Sequence, residues 1–499
     1  MNFITISMLF SMSTYYLFRD KLMRYFLFFK LLSLLLITGC CCYLNIGLNN
    51  YFYNQLYIAI NENKCLAIKF TQWIITRLNI IFENEEVKPI WLTDFNKFFE
   101  NCPVHEFKYT QEVYFNLTQR DIFDDYDINF DVLSSGSIGQ VYKAIHKESR
   151  EVHAIKVKHP ELEEYMYLPR LFIRTIISFL KLITFQKFFV PLDIEMFFVS
   201  LEQQLDFKIE SENMKKMFTN FQDNYLIIIP KVIKCDTDII IMTYEEGTYF
   251  EKCQQINEFN KFKIALIYIL FYHQCCFLDN FNHGDLHEGN WKIRLSDNGK
   301  DYCLVIYDLG LCYSFSNKTN IVKFIESWES YDMDTMAQAT YDLLKENNDV
   351  ENIPFFKSEL FSVFKDNQFK PFSLNKVLSL IYNLARKYDV VIDFSYLNIL
   401  ISGGLCEQML IKYRLMNVGM DTSDEYKKNN RDISYKTQTL EYINFCQSKK
   451  VFSELEQYYR NLLKDKNVNL NTLFSNLDEK LNKFSNNIKF ESSNKQLEI

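Results

Sequence analysis

Two short segments in the second half of the chain constrain its fold more than any other feature. The first reads HGDLHEGN at residues 283–290, and the second reads DLG, which begins at Asp308, eighteen residues after Asn290. Between them, WKIRL and CLVIYD are rich in β-branched and aromatic residues and flank a polar stretch, which is typical of two strands joined by a turn. The spacing therefore predicts that Asp285, Asn290 and Asp308 face one cleft.

These three side chains have the chemistry of a phosphoryl-transfer site. In such sites one carboxylate orients an attacking hydroxyl, while an amide and a second carboxylate hold magnesium on ATP. We predict Asp285 as the catalytic group and Asn290 and Asp308 as the metal ligands. His283 and His287 are four residues apart, but the sequence offers no suitable third ligand. We therefore assign them no metal and expect them to shape the loop by hydrogen bonding.

Three earlier segments carry groups that such a site needs. SSGSIGQVYKA at 134–144 predicts a loop between two strands, whose backbone N–H groups can cover phosphate oxygens. In HAIKVK, the period of two puts Ala154 and Lys156 on one face of a strand. In LDFKIESENMKKM, Asp206 and Glu210 share a helix face. Glu210 is predicted to pair with Lys156 and to hold it against the α and β phosphates, so both residues join Asp285 in the predicted catalytic set. The predicted nucleotide contacts are Ser135, Gly136, Ser137, Ile138, Gly139, Ala154 and Lys156, with the adenine near Met242 and Glu245.

Each segment alone has an ordinary structural explanation. A Ser/Gly loop is usually only a turn, a strand lysine often faces water, and a helix glutamate is usually solvated. The prediction depends on all of these segments occurring together in this order. Glycine usage supports it, because five of the 12 glycines fall in these motifs, namely Gly136, Gly139, Gly284, Gly289 and Gly310.

Composition argues against several other classes of protein. With 63 acidic and 55 basic residues the formal charge is −8, which gives no electrostatic reason to expect nucleic acid as a partner. The 13 cysteines include no CxxC pair, which argues against a structural zinc site and a small disulfide-stabilised fold.

The motifs resemble those of the UbiB, or aarF-domain, family of atypical kinases. The resemblance is carried by SSGSIGQVYKA, HAIKVKHP, LDFKIESEN, MTYEEG and HGDLHEGNW with DLG, and it extends from about residue 62 to about residue 420. The family's N-terminal extension has a KxGQ motif, which corresponds here to KFTQW with Lys69, Thr71 and Gln72. Lys69 and Gln72 would then be the regulatory residues that fold over the cleft. Two further positions depart from the family pattern, since Gln204 replaces an acidic residue and Gly136 stands where alanine is common.

The resemblance implies an α+β, kinase-like two-lobed fold with extra helices at both ends, and ATP hydrolysis or phosphotransfer that uses ATP and Mg²⁺. It also implies a role in coenzyme Q biosynthesis or lipid homeostasis, with a lipid, a quinone-pathway substrate or an enzyme complex as partner. The sequences KFTQW and QQLD are most similar to those of the mitochondrial subgroup of animals. This implies that the protein is located at a mitochondrial membrane or otherwise at another intracellular membrane. No APE segment follows DLG, which disfavours an ordinary protein substrate.

The N-terminal region contains an uncharged run after Lys30. Residues 31–48 are eighteen residues without a charge, which is the lower limit for a helix that crosses a membrane. We interpret this run as a transmembrane helix at about 28–48, with a removed targeting segment and a buried core helix as alternatives.

The predicted organisation has five parts. They are a targeting and transmembrane segment at 1–60, a helical extension with the KxxQ motif at 61–127, a kinase-like N-lobe with inserted helices at 128–246, a helical C-lobe with the catalytic loop at 247–440, and a charged helical or partly disordered tail at 441–499. Three functions remain open. The leading one is a Mg-ATP-dependent atypical kinase or ATPase, and the alternatives are a catalytically weak nucleotide-dependent scaffold and a small-molecule hydroxyl kinase of the choline or aminoglycoside type.

Overall fold

The computed structural model describes the chain between Met23 and Met409, with gaps. The described residues are 23, 25–35, 37, 50–63, 67–72, 104–160, 162, 170, 194–222, 226–255, 264, 267–268, 271–272, 274–295, 302–315, 317–330, 332–346, 348–366, 374–392, 396–398, 400, 402–404 and 409. Most of the predicted transmembrane run and the whole of the predicted tail at 441–499 lie outside these residues.

Contacts within the chain define two compact units. The first unit comprises Met1–Ala144 and Lys156–Phe188, and the second comprises Ile145–Ile155 and Phe189–Ile499. Two strands, β3 and β4, therefore contribute residues to both units. The division of the chain into five parts that the sequence suggested remains a prediction.

The first unit combines helices with the beginning of a sheet. Its elements are α1 (Asn50–Glu62), α2 (Phe107–Thr118), α3 (Ile122–Asp125), β1 (Tyr126–Ile128), β2 (Ser134–Ser135) and the start of β3 (Gly139–His146). β1 and β2 both pair with β3, and Ser135 lies opposite Gln140. α2 contributes Phe107, whose ring meets the buried Tyr142 ring edge-on at 5.4 Å. The aromatic contact fixes α2 next to the strand that follows the Ser/Gly loop.

A helical stretch at residues 25–35 contacts the end of α1. Lys30 Nζ lies 2.8 Å from Glu62 Oε2, and Asn63 Nδ2 donates to Leu27 O at 2.9 Å. Across the part of the chain that the structure describes, no helix is both long enough and apolar enough to cross a membrane.

The second unit contains strands of a sheet and a helix that packs against them. It contains β4 (Val152–Lys158) up to Ile155, α4 (Ile194–Leu205), α5 (Phe207–Phe221), β5 (Ile227–Ile228), β6 (Val232–Asp236) and β7 (Ile239–Thr243). The strand order is β4-β7-β6, and Tyr244 N donates to Val152 O at 3.0 Å just beyond β7. α5 packs against β5, β6 and β7, because its apolar face carries Phe207, Met214 and Met217, all buried.

A second group of short strands in this unit holds the HGDLHEGN and DLG segments. The elements are α6 (Phe250–Cys253), a π-helix (Gln274–Asp279), β8 (Asn282–His283), a 3₁₀ turn (Glu288–Asn290), β9 (Trp291–Leu295), β10 (Tyr302–Ile306) and β11 (Cys312–Tyr313). β9 and β10 are antiparallel, β10 runs parallel to β5, and β8 pairs antiparallel with β11. The predicted β-hairpin between the two motifs is therefore present.

The remainder of the second unit is helical. The helices are α7 (Lys318–Ser330), α8 (Met333–Lys345), a 3₁₀ turn (Val350–Asn352), α9 (Phe356–Asp366) and α10 (Leu374–Tyr388). Each of these α-helices packs against the next along the chain. The mixed helix and sheet content of the two units confirms the predicted α+β class.

The backbone turns between β1 and β2, where Asp131 N donates to Asn129 Oδ1 at 3.3 Å, as short polar side chains do in turns. One local prediction was wrong. Asp206 and Glu210 were placed on one face of a continuous helix. The helix instead ends at Leu205 and a new one begins at Phe207, with Asp206 as its N-cap accepting from Lys208 N at 2.9 Å.

Candidate active site

The HGDLHEGN loop is held in shape by its own backbone and by one amide side chain. His287 N donates to Asp285 O at 2.9 Å and Asn290 N donates to His287 O at 2.9 Å. Asn290 Nδ2 also donates to Asp285 O, at 2.8 Å. Because this bond uses the Nδ2 group, Oδ1 is the Asn290 atom that can bind a cation. The loop thus brings Asp285 and Asn290 together, as the sequence predicts.

The DLG segment is tied directly to this loop. Gly284 N donates to Leu311 O at 2.7 Å, and Tyr307 N donates to Asn290 O at 2.8 Å. A Cβ on Gly284 would lie only 2.7 Å from Leu311 Cγ, so glycine is required for the close approach of the two segments. Asp308, the residue after Tyr307, is exposed and has a φ of 52°, a left-handed conformation that aspartate tolerates better than most residues. These bonds fix Asp308 beside Asn290.

The two histidines stabilise the loop through hydrogen bonds, as predicted. His283 Nδ1 accepts from Asp285 N at 3.1 Å, and because Tyr307 O can only accept, the 3.1 Å contact to it makes His283 Nε2 a donor. This arrangement requires a neutral ring, and burial lowers the pKa of His283 in agreement. His287 Nδ1 accepts from Gly289 N at 3.1 Å. The imidazole of His283 therefore connects the loop to the residue before Asp308.

Glu210 reaches the DLG segment from α5. It is 2% exposed, and its Oε2 lies 3.5 Å from the point where a Cβ on Gly310 would be, while Asp308 Oδ1 lies 3.3 Å from the same point. Asn213, one turn later, donates from Nδ2 to Leu309 O at 2.9 Å. Burial, and then the negative charges of Glu210 and Asp308, raise the pKa of the Cys312 thiol. The second unit thus concentrates negative charge at this position, which suits a bound cation.

The donor set fits magnesium better than a metal held by protein alone. Within the described residues, no group of three or more His, Cys, Asp or Glu side chains is arranged to hold a metal ion. One amide oxygen and one carboxylate are instead the few oxygen ligands that Mg²⁺ takes from a protein when phosphates and waters supply the others. Asn290 and Asp308 would hold the ion.

The segment after β7 is fixed by side chains from β9 and β10. Arg294 Nη2 lies 2.7 Å from Glu245 Oε2, and Arg294 Nε donates to Glu246 O at 3.0 Å. Tyr307 OH donates to Glu245 O at 2.7 Å. Met242, near the end of β7, and Glu245 are both partly exposed. The predicted adenine region is therefore connected, through Tyr307, to the DLG segment.

Lys156 and the predicted contacts in the Ser/Gly loop lie in the first unit, whereas Ala154 lies in the second. Lys156 is half-buried on β4, and the neighbouring Ile155 and Val157 are fully buried, as the period of two predicts. Ser135 ends β2 and Gly139 begins β3, with Gly136 N donating to Gly139 O at 2.9 Å across the loop.

The residues that match the KxGQ motif also lie in the first unit. Lys69 and Gln72 share a helical stretch at residues 67–72, where Thr71 Oγ1 donates to Ala67 O at 2.7 Å. The predicted pairing of Lys156 with Glu210 joins residues of different units and remains a prediction.

Three residues with a structural role in the site carried no prediction. Asn213, Arg294 and Tyr307 each hold a backbone carbonyl of the DLG segment or of the segment after β7. Their roles follow from contacts between segments that are distant in the sequence, so neither periodicity nor spacing could reveal them. Asn213 does lie within the LDFKIESEN motif, which is the only signal that pointed toward it.

Part of the chain matches a known protein family. Residues 98–340 match the family described as the ABC1 atypical kinase-like domain. This segment belongs to the UbiB/aarF family. The UbiB/aarF domain therefore includes Asp285, Asn290, Asp308, Glu210 and Lys156, whereas Lys69 and Gln72 precede the matched region.

Relatives of this UbiB/aarF domain occur in both a eukaryote and a bacterium. The chain is 27% identical over 266 residues to "Probable serine/threonine-protein kinase abkC" of Dictyostelium discoideum, covering 52% of this chain and 37% of the relative. It is 27% identical over 243 residues to "Probable protein kinase UbiB" of Shewanella pealeana, covering 47% of this chain and 43% of the relative. The chain thus matches less than half the length of each. A Mycobacterium tuberculosis protein solved in complex with erythromycin is similar with a TM-score of 0.44 and 15% identity, covering 61% of this chain and 80% of that one.

Proposed function

We propose that this chain binds Mg-ATP and hydrolyses it or transfers its γ-phosphoryl group. The observation that carries the proposal is the hydrogen-bonded arrangement of the HGDLHEGN loop and the DLG segment, in which Asp285, Asn290 and Asp308 are fixed by the same few backbone bonds. These bonds, at 2.7–2.8 Å, hold the backbones that carry the three side chains close together in the second unit, where one Mg-ATP could contact all of them.

Each residue of the site would have a separate role. Magnesium, when bound, neutralises charge on the β and γ phosphates. Asn290 Oδ1 and the Asp308 carboxylate would hold that ion, and Lys156, braced by Glu210, would hold the α and β phosphates. Asp285 would orient an attacking hydroxyl or water and accept its proton as the new bond to phosphorus forms and the bond to ADP breaks.

We also propose the finer assignment to coenzyme Q biosynthesis or lipid homeostasis at a mitochondrial or other intracellular membrane. The support is the family match of residues 98–340 and the similarity to relatives such as "Protein ACTIVITY OF BC1 COMPLEX KINASE 1, chloroplastic" of Arabidopsis thaliana, 30% identical over 148 residues. A lipid or quinone-pathway acceptor and regulation by Lys69 and Gln72 belong to the same proposal.

A binding experiment with matched aspartate variants tests nucleotide and metal binding. The full chain should melt at a higher temperature with ATP and Mg²⁺ together than with either alone. Asp308→Asn should weaken Mg-ATP binding by about 10- to 100-fold, since contacts to a charged group are worth about 1.5–3 kcal/mol. Asp334→Asn, which changes an exposed carboxylate on α8, is the control and should bind as the wild type does. Equal affinity of the Asp308→Asn variant and the wild type would overturn the metal assignment.

A turnover experiment separates an enzyme from a nucleotide-dependent scaffold. ATP consumption is measured with and without phospholipid vesicles, for the wild type and Asp285→Asn. Loss of a positioned acid or base costs about 100- to 10,000-fold in rate, so an enzyme should lose nearly all turnover in Asp285→Asn while keeping its nucleotide affinity. Turnover that is absent in the wild type, or unchanged in the variant, would leave the scaffold as the better function.

A further inference from the structure

A chain of buried hydrogen bonds in the first unit ends at the Ser/Gly loop. His159, the residue after β4, donates from its backbone N to Ile138 O at 2.8 Å, and its ring Nε2 lies 3.1 Å from Gly136 O. Its Nδ1 lies 2.9 Å from Nδ1 of His105, whose Nε2 lies 3.1 Å from Oγ1 of Thr110 on α2. His159 is 9% exposed and Thr110 is fully buried. The loop is therefore attached to a side-chain network and not only to its flanking strands.

The proton positions in this chain follow from its end groups. A carbonyl oxygen only accepts, so Nε2 of His159 must donate to Gly136 O. One of the two Nδ1 atoms donates to the other, and Nε2 of His105 lies within hydrogen-bond distance of the Thr110 hydroxyl. The pKa of His105 is lowered to about 4 by burial and by the neighbouring His159, in agreement with a neutral His105 ring. The donor role of His159 Nε2 is thus fixed by the carbonyl oxygen of Gly136.

The network continues beyond Thr110. Thr110 Oγ1 donates to Tyr142 OH at 3.3 Å. Gln140, which is fully buried, donates from Nε2 to Tyr142 OH and to His105 O, the latter at 3.1 Å, and its Oε1 accepts from His105 N at 2.9 Å. A hydrogen-bonded side-chain network of this kind makes its part of the structure more rigid.

The two bonds made by His159 determine which way the loop amides point. In a trans peptide the C=O of one residue and the N–H of the next point in opposite directions. His159 holds the carbonyls of Gly136 and Ile138, so the N–H groups of Ser137 and Gly139 must point away from His159. These two N–H groups, on either side of Ile138, therefore share a direction and are available to an anion on the face of the loop opposite His159.

We propose that His159 is a positioning residue for nucleotide binding, which orients the N–H groups of Ser137 and Gly139 toward the phosphates by holding the carbonyls on the opposite side of the loop. The inference rests on the proposed function, because it needs the loop to bind phosphate. His159 does not contact the nucleotide itself and acts only through the loop backbone.

Two substitutions at this position separate loop positioning from general stability. In His159→Gln the side-chain amide nitrogen occupies about the position of Nε2, so the bond to Gly136 O is retained while the contact with His105 is lost. In His159→Asn the amide occupies about the position of Nδ1, so the contact with His105 is retained while the bond to Gly136 O is lost. Both variants keep the backbone bond to Ile138 O. Thr110→Val breaks the network at its far end and serves as a control for stability alone.

Two measurements on the full chain test the proposal. We expect His159→Asn to raise the Kd for Mg-ATP by about 3- to 10-fold, the equivalent of one net hydrogen bond. His159→Gln and Thr110→Val should stay within about twofold of the wild type, whatever their melting temperatures. Hydrogen exchange without nucleotide should be faster at residues 134–139 in His159→Asn than in His159→Gln.

The outcomes distinguish this inference from the proposed function. Wild-type binding of Mg-ATP together with equal Kd values for the two His159 variants would overturn the inference and leave the proposed function intact. The same holds if weaker binding follows loss of stability in all three variants. A wild type that binds no Mg-ATP would overturn the proposed function and this role of the loop together.

Discussion

Replacement of Gly284 by alanine tests how closely the HGDLHEGN loop and the DLG segment approach each other. The new Cβ would lie 2.7 Å from Leu311 Cγ, 3.0 Å from Leu311 Cδ2 and 3.2 Å from Leu311 O. The first distance is too short for the Cβ to fit without a shift, the other two are tight contacts, and the affected backbone makes the 2.7 Å bond from Gly284 N to Leu311 O. Overpacking costs about 1–3 kcal/mol and the weakened hydrogen bond adds about 0.5–1.5 kcal/mol. We expect Gly284→Ala to lower the free energy of unfolding by about 2–4 kcal/mol.

A double-mutant cycle isolates the contact responsible. Leu311→Ala removes both side-chain atoms that the new Cβ would strike and leaves only the carbonyl oxygen at 3.2 Å. The double variant should therefore be more stable than the sum of the single effects predicts, by about 1–2 kcal/mol, in the range of coupling between residues in contact. Urea unfolding is followed by tryptophan fluorescence, to which Trp291, 3% exposed and in the same unit, contributes. Additive effects, within about 0.5 kcal/mol, would refute the argument from close approach.

Two further changes test local features of the two units. Asp206→Ala should lower the free energy of unfolding by about 1 kcal/mol, because α5 loses its N-cap. Asp206→Asn can still accept the hydrogen bond from Lys208 N and should lower it by only a few tenths of a kcal/mol. Equal losses in urea titrations would exclude the capping role. The pKa of His105 is about 4 in the folded chain, below its ordinary value of about 6.5, so between these values the unfolded chain binds a proton that the folded chain does not. The free energy of unfolding should therefore fall as the pH drops from about 6.5 to about 4, and fall less in His105→Asn; parallel pH profiles would contradict this assignment.

The parts of the fold that the sequence predicts well are those where one residue pattern has one structural solution. β4 occupies Val152–Lys158, the span of VHAIKVK, because alternation there coincides with β-branched residues and a polar turn. The hairpin of β9 and β10 was predicted for the same reason. β6 at Val232–Asp236 was not predicted, because Lys234 breaks the apolar pattern and the ladder to β7 contains a register shift.

The parts of the site that the sequence could not predict depend on contacts between distant segments. Helical periodicity continues across Asp206, so the break there was missed even though aspartate is a favoured N-cap residue. The identities of Asp285, Asn290 and Asp308 could be read from spacing, but the bonds that Tyr307 makes to Asn290 and Glu245 could not. His159 was read only as part of HAIKVKHP, because nothing in a linear pattern shows that its ring reaches back to Gly136.

Tyr307 contacts the HGDLHEGN loop through its backbone and the segment after β7 through its side chain. Its backbone N–H and C=O serve the catalytic loop through Asn290 O and His283 Nε2, and any residue other than proline offers the same two groups. Only its hydroxyl, which reaches Glu245 O, depends on the residue being tyrosine. A substitution of Tyr307 by phenylalanine should therefore change the segment after β7 through this one oxygen while leaving the backbone bonds around Asn290 and Asp308 in place.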